Sequence, residues 1–333
     1  MTKFKLIIAL LVLISQSCST QIKKINGISF VASRDSININ HIVPVVNVNA
    51  NYAAVMPFGF IKDLAHPEIM FNTSRQWFGE TELGLKQYIE EFHKKGIKIM
   101  LKPQIWVWKG EFTGFIEMKH EADWKILEKS YSEFILNHAK LAENMHIDIF
   151  CIGTELENFV GHRPDYWERL IIEIKKIYKG KLTYAANWNE YEKTPFWKHL
   201  DYIGIDAYFP VSSAKTPTVE ACLEGWKVYK NAIQALSAQY NKPILFTEYG
   251  YRSVDYAGKE PWKSDGDMGQ INLEAQTNTT QALFETFWKE DWFTGGFIWK
   301  WHHNHKEAGG ENNDRFTPQN KPAETLLKKQ YSK

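Results

Sequence analysis

The sequence contains few cysteines and no excess of either charge. With 3 cysteines in 333 residues, a framework of disulfide bonds is not expected. Cys151 lies in an apolar segment and Cys222 in a helical pattern, so both are predicted to be small buried side chains. Lys and Arg number 40 against 39 Asp and Glu, without a basic cluster. This balance argues against nucleic acid as a partner.

The N-terminal apolar run is too short for a permanent membrane span, which needs roughly 20 residues. It covers residues 6–14, follows Lys3 and Lys5, and precedes Ser17 and Cys18. This pattern indicates a signal peptide, and the small residues before the cysteine resemble the lipobox of bacterial lipoproteins. We therefore expect a signal peptide at 1–18, lipid attachment at Cys18 and a location in the bacterial cell envelope, on the periplasmic or the outer surface. Ordinary signal-peptidase cleavage, with an incidental cysteine, is the alternative.

Aromatic residues, in contrast, are abundant. They make up 14% of the chain and include 13 tryptophans. A flat apolar indole ring suits stacking on sugar rings, but barrels also use tryptophan to fill the space between helices and sheet. We expect the structural role for about two in three of them.

Eight short apolar segments rich in β-branched residues predict strands buried on both faces. They cover residues 27–32, 53–58, 98–104, 148–153, 181–186, 202–207, 243–247 and 295–299. Amphipathic patterns between most of them predict helices; the clearest pattern comprises Trp124, Leu127, Tyr131, Phe134, Ile135, Leu141 and Ala142. Strand followed by helix, eight times, predicts one closed (β/α)8 TIM barrel over residues 19–333. An open doubly wound sheet is the alternative, because the first crossover shows little helical pattern.

Two glutamates follow predicted strands directly. Glu155 ends the fourth strand and Glu248 the seventh. A carboxylate at a buried strand is partly desolvated, and the ends of these two strands face each other across an eight-stranded ring. Glycoside hydrolysis requires such a pair, one group to protonate the departing oxygen and the other to attack or to activate water. Glu157 is a rival for the acid role, but Glu155 is closer to the strand end, where position is better fixed.

Four segments carry a resemblance to glycoside hydrolase family 113, a clan A family of endo-β-1,4-mannanases. They are IGTELEN at 152–158, IGIDAYFP at 203–210, FTEYGYRS at 246–253 and GGFIWKW at 295–301. The resemblance spans essentially the whole mature chain. It implies a retaining enzyme that cleaves β-mannosidic linkages in mannan-type polysaccharides or oligosaccharides, with Glu155 as acid/base and Glu248 as nucleophile. Thr154 stands where many clan A members have asparagine, so the contact with the sugar 2-hydroxyl comes from Thr154 or from elsewhere.

Other residues at strand ends are expected to bind the substrate or to orient the glutamates. Tyr208 is expected to donate its hydroxyl to Glu248, and Trp299 resembles the clan A platform under the sugar that is cleaved. The remaining candidates for hydrogen bonding and stacking are Lys102, Trp106, Trp108, Asn187 and Trp188, with Arg252 as a weaker one.

No cofactor and no metal is expected. His302, His303 and His305 crowd together after the eighth strand, but adjacent side chains point in different directions and no acidic ligand has suitable spacing. A solvated rim, or one histidine touching substrate, is the preferred interpretation. The chain is expected to be a monomer.

Two other classes of function stay open. A glycan-binding lipoprotein without activity would keep the tryptophans, and a clan A hydrolase for another β-glycan would keep both glutamates. The long connections at 105–120 and 249–270 would set that specificity, because loops after strands line the active-site face of a barrel.

Overall fold

Eight parallel strands close into a barrel. The computed structural model describes residues 23–263 and 270–333, so the predicted signal peptide and Cys18 lie outside the described residues, as does the part of the 249–270 connection from 264 to 269. In the described part the strands are β1 (Ile25–Phe30), β2 (Tyr52–Val55), β3 (Phe58–Ile61), β4 (Lys98–Leu101), β5 (Gln104–Val107), β6 (Ile149–Thr154), β7 (Lys181–Asn187), β8 (Ile203–Asp206), β9 (Ile244–Tyr249) and β10 (Phe293–Trp301).

The ring runs in the order β1, β2, β4, β6, β7, β8, β9, β10 and closes back on β1. Every neighbouring pair is parallel. This closure confirms the predicted barrel and excludes the open doubly wound sheet, in which two strands would remain at free edges.

Helices connect most of the barrel strands on the outside. They are α1 (Ile39–Asn47), α2 (Glu82–His93), α3 (Glu121–Asn144), α4 (Glu157–His162), α5 (Pro164–Ile177), α6 (Val219–Tyr240), α7 (Leu273–Phe287) and α8 (Pro322–Tyr331). All seven residues of the predicted apolar pattern in α3 are buried. The first crossover does contain a helix, α1, whose periodicity is interrupted by Pro44. No helix in the described residues is long and apolar enough to cross a membrane.

The fifth crossover differs from the prediction of a helix after every strand. Residues 188–202, all of them described, contain only a 3₁₀ turn at Trp197–His199. Phe196 and Trp197 are fully buried there, and the Phe196 ring stacks on Trp167 of α5 with 5.5 Å between centroids. Large aromatic side chains thus cover this part of the sheet in place of a helix, because they bury a comparable apolar surface.

Two predicted strands are broken by proline. The segment 53–58 divides into β2 and β3 around Pro57, and 98–104 divides into β4 and β5 around Pro103. Proline has no backbone N–H for the ladder, so pairing is interrupted at that point. Beyond the break, β3 and β5 pair with each other in a separate parallel sheet, in which Phe58 faces Gln104. This small sheet extends one side of the barrel past its carboxyl-terminal rim.

The core has two layers. The larger one lies between the barrel and the helices. The smaller one draws residues from seven of the barrel strands and fills the interior; it comprises Ile25, Ala54, Met100, Ile149, Cys151, Ala185, Leu245 and Phe297. A Cβ at Gly27 would lie 2.3 Å from the Phe297 ring, so glycine leaves the space that this ring occupies. Cys151 and Cys222 are buried free thiols, as predicted.

Candidate active site

Glu248 reaches the barrel mouth because β9 carries one extra residue. Leu245 belongs to the interior cluster, so simple alternation would turn Thr247 inward and Glu248 outward. In the ladder with β8, however, Phe246 and Glu248 face consecutive residues, which leaves Thr247 between them as a bulge. A bulge re-aims the side chains that follow it. Thr247 and Glu248 therefore both contact the polar cluster at the top of the barrel.

The β6 strand end is irregular in the same way. Cys151 and Thr154 face residues of β7 that are only two apart, so β6 also contains one extra residue. Glu155 follows directly and has a left-handed backbone with φ of 51°. This conformation is uncommon for a residue other than glycine and is frequent at functional sites. The two glutamates selected from the sequence thus both lie beside local departures from regular strand geometry.

Three side chains donate hydrogen bonds to the Glu248 carboxylate. Lys102 and Gln104 both donate to Oε1, with 3.1 Å between Gln104 Nε2 and this oxygen. The Tyr208 hydroxyl donates to Oε2 at 2.6 Å, the contact expected from the sequence. Burial, and then the charge of Glu248, raise the pKa of Tyr208 well above its usual value, so this hydroxyl keeps its proton. Three donors on its two oxygens fix the orientation of this carboxylate.

Lys102, predicted as a sugar contact, has a buried side chain that faces protein carboxyl groups. Its ammonium is fully buried and contacts Glu248 and Asp206, with 3.1 and 3.2 Å to the two Asp206 oxygens. Burial opposes its charge, but Asp206 and Glu248 together raise the pKa of Lys102 above its usual value. The residue is therefore a buried cation that compensates two carboxyl groups.

Asp206 completes this cluster and was not singled out in the sequence. It is fully buried at the end of β8 and also accepts a hydrogen bond from Thr247 Oγ1 at 2.7 Å. Burial, followed by the charge of Glu248, raises the pKa of Asp206 to about 7, although Lys102 and Thr247 act in the opposite direction. An acid that ends an apolar strand is the same signal that identified the two glutamates. The sequence around Gln104 shows no such pattern. The contact of Gln104 with Glu248 depends on the interruption between β4 and β5 at Pro103.

The Glu155 carboxyl has different surroundings. Part of the residue remains exposed at the barrel mouth, but protein atoms crowd the carboxyl group. This burial, then the charges of Asp206 and Glu248, raises the pKa of Glu155 well above its usual value. A carboxyl group with a raised pKa keeps its proton to higher pH than a free glutamate and is suited to act as an acid.

Glu157, the rival for the acid role, is the first residue of α4 and forms an ion pair with Lys193 at 2.5 Å. Both side chains of this pair retain solvent exposure. A carboxyl group that is already engaged by a lysine is less available to contact the oxygen of a leaving group. The surroundings of Glu155 fit the acid role better.

Four tryptophans are exposed: Trp77, Trp106, Trp108 and Trp262. Trp106 lies in β5, Trp108 just after it, Trp77 between β3 and α2, and Trp262 after β9. All four therefore belong to connections that follow the carboxyl ends of strands. Exposed aromatic rings confined to one face of a barrel form a surface on which sugar rings can stack.

The other predicted substrate contacts occupy strand ends but differ in their partners. Trp299 is partly exposed near the end of β10. Asn187 is largely buried, and its Oδ1 accepts from the Trp188 N–H at 2.7 Å. The Trp188 ring in turn stacks on Trp262, with 4.9 Å between centroids. Thr154 Oγ1 lies 3.5 Å from the Pro103 carbonyl oxygen, too far for more than a weak bond.

Arg252 and the histidines lie in the same part of the fold with separate partners. The Arg252 guanidinium donates to Asp314, with 3.1 Å between Nη2 and Oδ2. His305 contacts Glu324 at 2.6 Å, whereas His303 lies against His41 with 5.5 Å between rings. Burial lowers the pKa of His302 to about 4. Within residues 23–263 and 270–333, no His, Cys, Asp and Glu side chains form a group of three or more that could hold a metal ion.

Comparison with known proteins gives a consistent picture. The model of Glycoside Hydrolase Family 113 matches residues 35–321. The structure is similar to the β-mannanase of that family from Alicyclobacillus acidocaldarius, in complex with ManMIm, at 22% identity and a TM-score of 0.81, covering 93% of this chain and 97% of that one. A second family member described as a β-1,4-mannanase aligns at 24% identity and 0.81, covering 93% and 99%.

A more distant structure is the Faecalibacterium prausnitzii β-glucuronidase, at 15% identity and a TM-score of 0.60, covering 93% of this chain and 49% of that one. At these identities the structural likeness concerns the fold. No curated protein matches the sequence.

Proposed function

The chain belongs to glycoside hydrolase family 113, and from that membership we propose that it is a retaining enzyme that cleaves β-mannosidic linkages, with Glu248 as nucleophile and Glu155 as general acid and base. The proposal rests on one observation above all. Two carboxyl groups at the mouth of one barrel differ in their surroundings: Glu248 accepts from three donors, whereas burial and neighbouring charge raise the pKa of Glu155. Pairs of acids with such divergent environments are what double displacement requires.

In the first step, Glu248 Oε attacks the anomeric carbon while Glu155 delivers its proton to the departing glycosidic oxygen. The bond from the anomeric carbon to the leaving group breaks and a glycosyl-enzyme ester forms. Lys102, Gln104 and Tyr208 hold the attacking carboxylate in place. In the second step, the now ionised Glu155 removes a proton from water, which attacks the anomeric carbon and releases the sugar with its original configuration.

A mannan-type chain is the proposed substrate. Two of the aligned solved structures are described as β-mannanases. The exposed tryptophans on the connections after the strands provide surfaces for several sugar rings of an extended polymer. Thr154, Asn187 and Trp299 remain our candidates for contacts with the sugar nearest the glutamates.

The test is turnover on a panel of β-1,4-mannan, mannooligosaccharides, β-1,3-linked mannan, galactan and glucan. We expect the largest kcat/KM on β-1,4-linked mannosides, and proton NMR of the first product should show the β-anomer. Preferred cleavage of another polymer would move the chain to a different substrate while keeping the two-glutamate mechanism. Binding without turnover of any of them would favour a glycan-capture protein, and initial formation of the α-anomer would exclude double displacement.

We also propose that the mature protein is a monomer that is lipid-anchored at Cys18 in the bacterial cell envelope. The support for the anchor is the sequence pattern of residues 6–18 alone. Replacing Cys18 with serine should release the protein from the membrane fraction into the soluble fraction. Retention of the Cys18→Ser variant in the membrane fraction would contradict the anchor. Sedimentation of the chain without residues 1–18 should give a single species of one chain.

A further inference from the structure

The surroundings of the Glu155 carboxyl group differ from those of Glu248. Within the described part of the chain, no side chain forms a hydrogen bond with either of its oxygens, in contrast to the three donors on Glu248. A general acid must nevertheless be placed within hydrogen-bond reach of the leaving oxygen. The position of this carboxyl group therefore depends on the backbone that carries it.

That backbone is fixed by contacts on both sides of the Glu155 side chain. The Glu155 N–H donates to the Ala185 carbonyl oxygen at 2.8 Å. Its carbonyl oxygen accepts from Thr113 Oγ1 at 3.2 Å. The next N–H, that of Leu156, donates to the Tyr184 hydroxyl oxygen at 2.7 Å. Since φ of Glu155 is 51°, an unfavourable conformation for this residue type, these contacts are needed to keep it there.

The Tyr184 hydroxyl is itself held by a buried acid. It has one proton, and because it accepts from Leu156 it donates that proton to Glu190 Oε1 at 2.7 Å. The other oxygen of Glu190 accepts from the Asn187 N–H at 3.0 Å. Tyr184 and Glu190 are both almost completely buried. These hydrogen bonds join the end of β6 to the turn after β7. Because the groups are buried, water cannot take over their hydrogen bonds.

We propose that Tyr184 and Glu190 are positioning residues that hold the Leu156 peptide, and through it the Glu155 carboxyl group, in place for proton transfer to the leaving group. This inference rests on the proposed acid role of Glu155. It assigns no contact between either residue and the substrate. It also explains why a carboxyl group is buried in the turn after β7, where a simple loop would suffice to connect two strands.

The test uses the dependence on leaving group. An oligosaccharide needs a proton on its departing oxygen, whereas 2,4-dinitrophenolate departs without one. In the Tyr184→Phe variant, kcat/KM for mannotetraose should fall about 10- to 100-fold, as expected for a small displacement of a catalytic group. For a 2,4-dinitrophenyl β-mannobioside it should change less than about 3-fold, because kcat/KM reports the first chemical step only. Glu190→Gln, which retains one acceptor oxygen, should fall between wild type and Tyr184→Phe.

Tyr178→Phe is the matched control. Tyr178 is also buried and its hydroxyl also contacts the backbone, since it donates to the Ile147 carbonyl oxygen at 2.8 Å. This contact lies before β6, at the opposite end of the strand from Glu155. Loss of that hydroxyl should lower stability without changing the ratio of the two kcat/KM values. An equal loss on both substrates in Tyr184→Phe, or no loss on either, would overturn the inference while leaving the proposed function intact.

Hydrogen exchange supplies a readout that does not require turnover. The Leu156 amide should exchange faster in Tyr184→Phe than in wild type, and at an unchanged rate in Tyr178→Phe. If the wild-type protein hydrolyses no β-mannoside, the proposed function fails. The exchange rate of the Leu156 amide then tests the positioning of this peptide by itself, and an unchanged rate in Tyr184→Phe would overturn the positioning role. If Tyr184→Phe does not fold, the same two measurements on Glu190→Gln decide the question.

Discussion

The ends of β6 and β9 place the same functional group at one barrel mouth by different means. At β9, Glu248 lies in a cluster of Lys102, Gln104 and Tyr208, which contact its oxygens directly. At β6, Glu155 has its backbone fixed on both sides while its carboxyl group faces the mouth. A carboxylate that attacks carbon benefits from donors that keep it oriented. A carboxyl group that exchanges protons with substrate and water would be impeded by the same donors.

Substitutions in the two regions should also have different effects. Changes around Glu248 alter the charge balance of a largely buried cluster, so they should affect stability. Changes around Glu155 alter backbone position, so they affect geometry more than charge. The predictions below test this division, beginning with the largest effect.

Removal of each glutamate should have different consequences for substrates with good leaving groups. Glu248→Ala should lose at least about 10⁴-fold in kcat on every substrate, because no glycosyl-enzyme can form. Glu155→Ala should lose roughly 10²- to 10⁴-fold on oligosaccharides but retain most of its kcat/KM on a dinitrophenyl glycoside. Glu157→Ala, whose side chain is paired with Lys193, is the control and should remain active. Loss of turnover in Glu157→Ala alone would reverse the acid assignment.

Lys102→Met should destabilise the protein strongly. It leaves Asp206 and Glu248 buried without their shared cation, and breaking a buried ion pair costs about 3–5 kcal/mol. Urea unfolding at pH 7 measures this loss. The double variant Lys102→Met/Asp206→Asn removes one of the two stranded charges and should be more stable than Lys102→Met. Equal stability of the single and double variants would show that charge compensation is not what Lys102 provides.

Tyr208→Phe should have a smaller effect. A hydrogen bond to a charged group is worth about 1.5–3 kcal/mol, so kcat/KM should fall by roughly 10- to 100-fold. Because the lost donor orients the attacking carboxylate of Glu248, kcat should fall on oligosaccharides and on a dinitrophenyl glycoside alike. A variant with raised KM and unchanged kcat would indicate a contact with substrate instead.

A separate effect concerns the pH dependence of stability near Glu155. Burial raises the pKa of Glu190 to about 7, compared with about 4.3 for a free glutamate. The folded chain binds this proton more tightly than the unfolded chain, so its contribution is fully present below about pH 4 and is lost as pH rises through about 7.

Relative to Glu190→Gln, the unfolding free energy of wild type should therefore decrease across that interval, by at most about 1.4 kcal/mol per pH unit. Unfolding in urea at a series of pH values measures the difference. A difference between the two proteins that stays constant from pH 4 to 7 would show that Glu190 does not titrate there.

Much of this molecule could be predicted from local patterns. Apolar segments at strand length and three- to four-residue periodicity identified the barrel and the buried face of α3. Glu155 and Glu248 can be identified from the sequence alone, because each follows an apolar segment at the end of a predicted strand. The exceptions to the pattern have local causes, since Pro44 obscured α1 and buried aromatic rings replaced the fifth helix.

The surroundings of the two glutamates could not be predicted in this way. Lys102 was expected to contact sugar, but its partners lie 104 and 146 residues away along the chain. Whether a lysine at a strand end is buried depends on whether those partners compensate its charge, which no local window contains. Glu190 has no sequence signal at all, because its significance lies in a hydrogen bond to Tyr184.

Taken by itself, the amino-acid sequence determined the class of fold, the order of its elements and the two acids at strand ends, because periodicity and burial are encoded locally. The tertiary structure alone decided how those acids are placed and which groups surround each one. Extra residues in β6 and β9 shift the alternation of side chains, and the neighbours of each acid come from distant strands that meet only when the ring closes.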